Sequence, residues 1–321
     1  MKERDISIDI LKFIAAIVIT NSHMELLYGK YSLLATGGAI GDVLFFFSSG
    51  FTLFLGCVER FDNWYKRRIN RIYPTVFAWA IIGAFVLGSQ SDMKYILVHG
   101  GGWFVTCIMI YYVILWFVRR FMTQKLWLVF AISFLVVVVW YLLLDRPAGW
   151  GMYGATYFKW GHYFLFMLLG AIVGQMPKSN RCFSFSKDLS KLIICILCFY
   201  AILIGALQSP IISQLQIVSL LPLMGITYYA YRLCNSPLLT RCYENPYLGW
   251  CIKFIGGLCL EIYIVQGVLF TDAMNCIFPF NIPLMFLIIF IAAYLLRCCA
   301  RIFSQTFRDG GYDWRAVFKM I

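Results

Sequence analysis

Long apolar stretches, separated by short polar segments, run through the whole of this 321-residue sequence. A helix needs roughly 20 mainly apolar residues to cross a bilayer, and ten stretches meet or approach that length. They are residues 7–28, 37–57, 73–89, 103–118, 126–144, 158–175, 190–207, 211–231, 252–272 and 281–300. Proline, glycine and charged residues separate them. We therefore predict an all-α, polytopic membrane protein with about ten transmembrane helices.

Composition excludes most soluble folds. Only 13% of the residues are charged and 62% are hydrophobic, whereas soluble domains carry about 25% charged residues. So few charges cannot cover the surface of a soluble protein of this size, but lipid tails accept apolar side chains. The net charge of +12 does not indicate nucleic acid, because the basic residues are distributed between the apolar stretches.

The distribution of lysine and arginine orients the predicted helices. With the N-terminus placed inside, 22 basic residues fall in the predicted cytoplasmic segments and four in the outer ones. Cytoplasmic loops are enriched in these residues, so we predict that both termini are cytoplasmic. We expect a single ten-helix domain over residues 1–303 and a cytoplasmic C-terminal tail over 304–321.

The first apolar stretch carries Asp9 and Lys12 near its start and His23 in its outer part. Ionisable groups within a membrane are costly and by default suggest function. Eleven residues are close to three helical turns, so Lys12 and His23 are expected on one face, roughly 16 Å apart along the axis. In the alternative reading, Lys12 pairs with Asp9 at the inner interface, and His23 merely caps the helix near Asn21 and Glu25.

Two further segments carry candidate binding residues. Ser48, Ser49 and Gly50 interrupt the apolar run of the second stretch, which indicates either close helix packing or a substrate passage. The following cytoplasmic loop contains Arg67, Arg68 and Arg71. Arg68 and Arg71 are one helical turn apart, so they are placed to grip a phosphate together; the positive-inside rule alone also accounts for arginines here.

Glu261 lies well inside the ninth stretch, in the sequence LCLEIYIVQ. A carboxylate at that depth needs a partner, and we expect either a functional role or a structural ion pair, with Gln266 about a turn away. His99 and His162 fall near the predicted outer face, where they are consistent with ordinary surface polarity. Trp103 is expected to be an interfacial aromatic anchor.

The twelve cysteines do not form a metal site. Most lie inside apolar stretches, and no CxxC is matched by a second CxxC or a histidine pair. Free cysteine in such surroundings behaves as a small hydrophobic residue. We predict no bound metal.

Taken together, these motifs resemble the integral-membrane acyltransferase family 3. Lys12 and His23 match the family's basic residue and histidine in the first helix, and an FFxxSG motif and an RxxR motif before proline follow in order. Those two motifs are matched by Phe45, Phe46, Ser49, Gly50, Arg68, Arg71 and Pro74, and later landmarks by 102–104 and 260–264. There are two departures: Val43 stands where an acid is common, with Asp42 one position earlier, and Gln266 replaces a frequent histidine.

The resemblance implies transfer of an acyl group, usually acetyl, from cytoplasmic acyl-CoA to a hydroxyl of an envelope glycan or lipid-linked sugar. Acyl-CoA would be a co-substrate, with no permanently bound cofactor. The resemblance makes His23 the catalytic candidate, as general base or as transient acyl carrier, with Glu261 or Asp9 orienting it. Residues expected to bind acyl-CoA are Lys12, Ser49, Arg67, Arg68 and Arg71. The expected location is a cell membrane, the bacterial plasma membrane.

Two other classes of function fit the pattern less well. A transporter or flippase of a lipid-linked glycan or small solute would also have about ten helices and a polar stripe, but the sequence shows no paired broken helices in matching halves. A membrane scaffold without chemistry leaves Lys12, His23 and Glu261 unexplained.

Overall fold

The structure, a computed structural model, describes residues 5–56, 60–86, 88, 95–96, 100–147, 150–176, 183–307 and 310–321. Within these residues every regular element is a helix, which confirms the predicted fold class. The α-helices are α1 (Ile6–Ser22), α2 (Glu25–Tyr28), α3 (Gly38–Leu53), α4 (Phe61–Val86), α5 (Gly102–Phe121), α6 (Leu126–Leu143), α7 (Lys159–Gln175), α8 (Phe185–Gln208), α9 (Pro210–Gln214), α10 (Leu220–Cys234), α11 (Pro237–Glu244), α12 (Pro246–Gly257), α13 (Cys259–Leu269), α14 (Asn281–Thr306) and α15 (Trp314–Val317).

Five of the described helical segments are long and apolar enough to cross a membrane, and seven are if two bent pairs each count as one span. The five are Gly102–Phe121, Thr123–Leu143, Phe185–Gln208, Gln216–Cys234 and Asn281–Thr306. The bent pairs are Ile6–Ser22 with Glu25–Leu34, at 62°, and Pro246–Gly257 with Cys259–Leu269, at 72°. These features support a membrane protein, while the count of ten spans and the cytoplasmic placement of both termini stay predictions.

Helix α4 differs most from its predicted bounds. It begins at Phe61 rather than at residue 73 and continues through Pro74, which was expected to separate two segments. Proline removes one backbone hydrogen bond of the helix. In helical membrane proteins, neighbouring helices and polar side chains can satisfy the backbone carbonyl that is left free. The arginine-rich turn is therefore part of a continuous 26-residue helix.

The chain divides into two compact units: Met1–Ala15, Ala39–Val58 and Val118–Gly249 form the first, and Ala16–Gly38, Glu59–Phe117 and Trp250–Ile321 form the second. In the first unit, glycines allow α3 and α7 to approach closely. A Cβ at Gly50 would overlap the carbonyl oxygen of Met167, and a Cβ at Gly170 would overlap that of Phe47. The rings of Phe46 and Tyr163 stack beside this crossing, with centroids 5.5 Å apart.

Buried polar side chains connect other helices of the first unit. Arg119 is 5% exposed and donates to the carbonyl oxygens of Leu53, the last residue of α3, and of Gly56 just after it. Arg232 donates to the Asp188 carboxylate at 2.8 Å, which ties α10 to α8. Each pair leaves its buried charge with a partner, as a low-dielectric interior requires.

The second unit is built around α4, α13 and α14. The Glu261 carboxylate on α13 receives two hydrogen bonds from the Arg297 guanidinium on α14 and one from the Thr75 hydroxyl on α4. The rings of Phe77 and Phe303 stack at 5.7 Å between α4 and α14. This unit carries most of the residues singled out from the sequence, including His23.

Candidate functional site

His23 lies at the corner of the first bent helix pair. Helix α1 ends at Ser22, so the predicted helix through residue 28 is wrong in its last turn, and His23 occupies the turn before α2. The His23 backbone N–H donates to the Thr20 carbonyl at 3.2 Å, and its side chain is exposed. His23 lies beyond the end of α1, so the helical face predicted to carry both Lys12 and His23 does not extend to the His23 side chain.

An asparagine one turn earlier accounts for this corner. The Asn21 amide donates to the carbonyls of Leu34 at 2.9 Å and Thr36 at 3.1 Å, and its oxygen accepts from the Tyr28 hydroxyl at 2.7 Å. The Asn21 side chain thus holds the segment that contains Leu34 and Thr36 against the end of α1. The sequence signal was present, because asparagine is suited to bonding backbone groups near helix ends and turns.

His23 lines a cavity of approximately 580 Å³ in the second unit. The walls come from α4, from the start of α5 and from α13, and they combine aromatic rings with glycine backbone. The aromatic lining residues are Trp79, Tyr95, Trp103, Tyr263 and Phe270, and the other lining residues besides His23 are Ala80, Gly83, Ala84, Ile96, Gly100, Gly101, Gly102, Ile264, Gln266 and Gly267. The structure thus brings together three separate sequence motifs: His23, the Gly-Trp of 102–103, and the segment after LEIY.

Tyr263 packs against the N-terminus of α5. Its hydroxyl oxygen accepts from the Phe104 backbone N–H at 3.5 Å. Gly102 starts the helix at φ +70°, a conformation that favours glycine, and a Cβ there would lie 2.8 Å from the Tyr263 hydroxyl. Gly102 and Trp103 therefore form part of the cavity wall, and the interfacial role expected for Trp103 stays a prediction.

Gln266 adds a polar group to the same wall. It is 4% exposed, and its Oε1 atom is buried without a hydrogen-bond partner among the described residues. An unpaired buried polar atom is costly, typically about 1–3 kcal/mol. Gln266 occupies the place of the frequent family histidine, and its buried carboxamide lies in the cavity wall.

Glu261 is paired and does not line the cavity. Its Oε2 lies 2.8 Å from the Arg297 Nη2, and its side chain is 7% exposed. Arg297 also donates to the carbonyl oxygen of Gly257, where α12 ends before the 72° bend. The structural ion pair expected as one alternative is present, with Arg297 rather than Gln266 as partner, and it holds the bend that directs Tyr263 and Gln266 into the cavity. A catalytic role for Glu261 stays a prediction.

The three arginines at the start of α4 differ in their surroundings. Arg68 stacks over the Trp64 ring, 3.8 Å from its centroid, and donates to the Trp64 carbonyl at 3.0 Å. Trp64 is itself buried and donates to the Tyr112 carbonyl at 3.2 Å. Arg67 and Arg71 are exposed. Arg68 is therefore engaged in packing α4 against α5, and the exposed arginines are better placed for a charged ligand.

An apolar groove of approximately 340 Å³ runs between α4 and α5 from this basic turn towards the cavity. Its lining residues are Tyr65, Tyr73, Val76, Ile96, Gly101, Val105, Thr106, Met109, Ile110, Val113 and Ile114. Ile96 and Gly101 also line the His23 cavity, so the two spaces adjoin. Burial raises the pKa of Tyr65 above its usual value, which keeps its hydroxyl neutral at the basic end of the groove.

The other candidate residues lie in the first unit. Lys12 is half-buried on α1, and Asp9, one turn earlier, accepts from the Tyr243 hydroxyl at 2.8 Å. Ser49 is 9% exposed on α3, next to Gly50. The close approach of α3 to α7 at Gly50 supports the packing interpretation of this motif.

The remaining histidines were assigned to surface polarity. His162 is instead fully buried on α7, 5.3 Å from the Tyr153 ring, and neither ring nitrogen has a hydrogen-bond partner among the described residues. The expectation failed because one histidine near a helix end carries no signal of the side that it faces. His99 lies outside the described residues.

No metal-binding group of three or more histidine, cysteine or acidic side chains occurs in the described part of the chain. The cysteines described there, from Cys107 to Cys299, are free thiols.

Comparison with known proteins identifies the family. The model described as an acyltransferase domain, that of acyltransferase family 3, matches residues 5–300. No curated protein and no solved structure matches the chain. The matched range includes His23, the basic turn of α4, the groove and the cavity. The chain is therefore a membrane acyltransferase that belongs to acyltransferase family 3.

Proposed function

We propose that this chain transfers an acyl group, most simply acetyl, from cytoplasmic acyl-CoA to a hydroxyl of a cell-envelope glycan or lipid-linked sugar. The reaction centre is His23, and the membrane is the bacterial plasma membrane. One observation carries the proposal: His23 lines an aromatic cavity that adjoins a groove leading from the exposed basic turn of α4. Donor and acceptor can thus approach the same imidazole through different openings.

The basic turn suits the phosphates of coenzyme A. Arg67 and Arg71 are exposed, with Lys66 beside them, and Arg–phosphate contacts are strong and directional. From Tyr65 at the groove's basic end to Trp79 in the cavity is fourteen residues of α4, about 21 Å at 1.5 Å per residue. A long, thin pantetheine arm fits a narrow apolar groove of that length and would deliver its thioester to His23.

The acceptor is proposed to be a sugar because of the cavity walls. Trp79, Trp103 and Tyr263 offer flat apolar faces, and Gln266 offers a carboxamide that accepts and donates hydrogen bonds. A pyranose has the matching surfaces, an apolar face of ring C–H groups and an edge of hydroxyls.

The neutral His23 imidazole then acts as general base. It takes the proton of the acceptor hydroxyl while that oxygen attacks the thioester carbonyl carbon. The C–S bond breaks as the ester C–O bond forms, and the imidazolium returns the proton to the leaving thiolate. In the nucleophilic variant of this route the imidazole first accepts the acyl group and then passes it to the hydroxyl.

The test uses the purified chain in liposomes with acetyl-CoA and an undecaprenyl-linked or soluble oligosaccharide. We expect acceptor-dependent release of coenzyme A thiol and an acceptor mass raised by one acetyl group. His23→Ala is expected to abolish transfer, while His23→Ala protein inserts and unfolds like the wild type. Transfer at the wild-type rate by that variant would exclude His23 as the reaction centre.

Transport is the second candidate, and the two bent helix pairs favour it, because broken helices line the substrate sites of many transporters. Both bends direct residues into the His23 cavity, however, and the family is one of acyltransferases. Flux of a glycan across proteoliposomes without any acyl donor would support transport over group transfer.

A further inference from the structure

The segment 310–321 folds back along the last long helix. Arg301 of α14 donates to the carbonyl oxygens of Val317, at 3.0 Å, and Lys319. The Tyr294 hydroxyl donates to the Phe318 carbonyl at 2.9 Å. Tyr294 precedes the end of α14 at Thr306 by twelve residues, about 18 Å along the axis. The segment is therefore docked on the helix by defined hydrogen bonds.

The docked segment directs an aromatic and basic face away from the protein. Val317 is fully buried and pins it to α14, whereas Trp314 and Phe318 are 55% and 57% exposed. The rings of Tyr312, Trp314 and Phe318 form a continuous stack, with centroid separations of 5.6 and 6.2 Å. Arg315 and Lys319 are exposed beside this stack.

The position of this face along α14 matches a membrane boundary. Helix α14 has 26 residues, about 39 Å, which exceeds a hydrocarbon thickness of about 30 Å. Its last turns carry Arg301, Gln305 and Thr306, so this end leaves the hydrocarbon. The segment runs back beside these turns and as far as Tyr294, so it would lie across the boundary between the hydrocarbon and the lipid headgroups.

We propose that the surface formed by Tyr312, Trp314, Arg315, Phe318 and Lys319, here called the tail surface, binds the headgroup region of an anionic phospholipid leaflet. Amphipathic aromatic rings concentrate at that depth. Each lysine or arginine near an anionic surface strengthens binding about fivefold. The tail surface offers both features on a segment held in one orientation, and it is independent of the acyl-transfer reaction.

Depth is tested with the full chain in phosphatidylcholine–phosphatidylglycerol vesicles. The fluorescence difference between wild type and Trp314→Phe isolates the contribution of Trp314. We expect lipids brominated near the headgroup to quench the Trp314 fluorescence and aqueous iodide to quench it little. Quenching by iodide alone would show that Trp314 faces water, and quenching by neither would show a protein partner or second copy over it; either result overturns the proposal.

Headgroup preference is tested by titrating the detergent-solubilised chain with phosphatidylglycerol in native mass spectrometry. Arg315→Gln/Lys319→Gln is expected to weaken binding at this surface about thirtyfold, since two basic residues are removed. The matched control, Lys125→Gln/Lys187→Gln, removes two exposed lysines elsewhere. Equal loss in both variants would mean that binding follows net charge and would refute a dedicated tail surface.

Discussion

Removing the Glu261 carboxylate alone is expected to harm the protein more than removing it together with Arg297. Glu261→Met would leave the Arg297 guanidinium, only 18% exposed, without its anion. Arg297→Met would leave the carboxylate unpaired and would also remove the donor to the Gly257 carbonyl. The double variant Glu261→Met/Arg297→Met leaves neither charge in the interior.

The magnitudes follow from burial. Breaking a buried ion pair by removing one partner costs about 3–5 kcal/mol, because a charge remains without compensation. Replacing both partners with apolar residues is often neutral, so the double variant should lose only the bonds to Gly257 and Thr75, about 1 kcal/mol each. We therefore expect each single variant to be less stable than the double variant by about 1 kcal/mol or more.

Equilibrium unfolding in mixed micelles measures these differences, and acetyl transfer in liposomes is measured on the same preparations. If the pair only holds the bend between α12 and α13, the double variant keeps activity within about tenfold, equivalent to about 1.4 kcal/mol of transition-state stabilisation. A double variant that is stable but as inactive as His23→Ala would refute this reasoning and would establish Glu261 as part of the chemistry.

Three further outcomes are expected. Gly50→Ala should destabilise the first unit by about 1–3 kcal/mol in the same unfolding assay, because its Cβ would overlap the Met167 carbonyl. The control Gly56→Ala has open space around the added Cβ and should leave the stability unchanged. Equal losses of stability in the two variants would contradict the packing role of Gly50. Arg71→Gln should raise the KM for acetyl-CoA about tenfold with kcat nearly unchanged, since one charge-assisted phosphate contact is lost; an unchanged KM would remove Arg71 from the donor site. Gly102→Ala should lower the rate of acetyl transfer, because the added Cβ would crowd the Tyr263 hydroxyl. Removing that hydroxyl with Tyr263→Phe in the same variant should restore part of the rate. If the rate is not restored, backbone strain at residue 102 causes the loss of activity.

Much of the architecture was predictable from composition and periodicity. In the described residues, each of the ten apolar stretches overlaps helical structure, because the cost of burying unpaired backbone in lipid leaves few alternatives to a helix; the count of ten spans stays a prediction. The sequence selected His23 as the catalytic candidate because an ionisable residue in an apolar stretch is rarely accidental, and that role stays a prediction. Pro74 misled the prediction, because a local helix breaker is overridden where neighbouring helices support the backbone.

The partners of these residues were not predictable. The ion-pair partner of Glu261 is Arg297, which lies 36 residues later in the sequence and reaches the carboxylate from α14. Arg68 and Arg71 look equivalent in the sequence, yet Trp64 engages one and leaves the other exposed. Hydropathy along one stretch cannot report which neighbour each side chain meets.

Composition was therefore sufficient to predict the membrane environment and the helical fold and to select the ionisable residues, because these depend on local sequence and on the cost of polar groups in lipid. The folded chain was needed to show that α1 stops before His23, that a bend after Gly257 brings Gln266 to the same cavity, and that a groove reaches this cavity from the basic turn of α4. These features depend on contacts between residues far apart in the chain, such as Asn21 with Leu34 and Thr36, and such contacts have no periodic signature in the sequence.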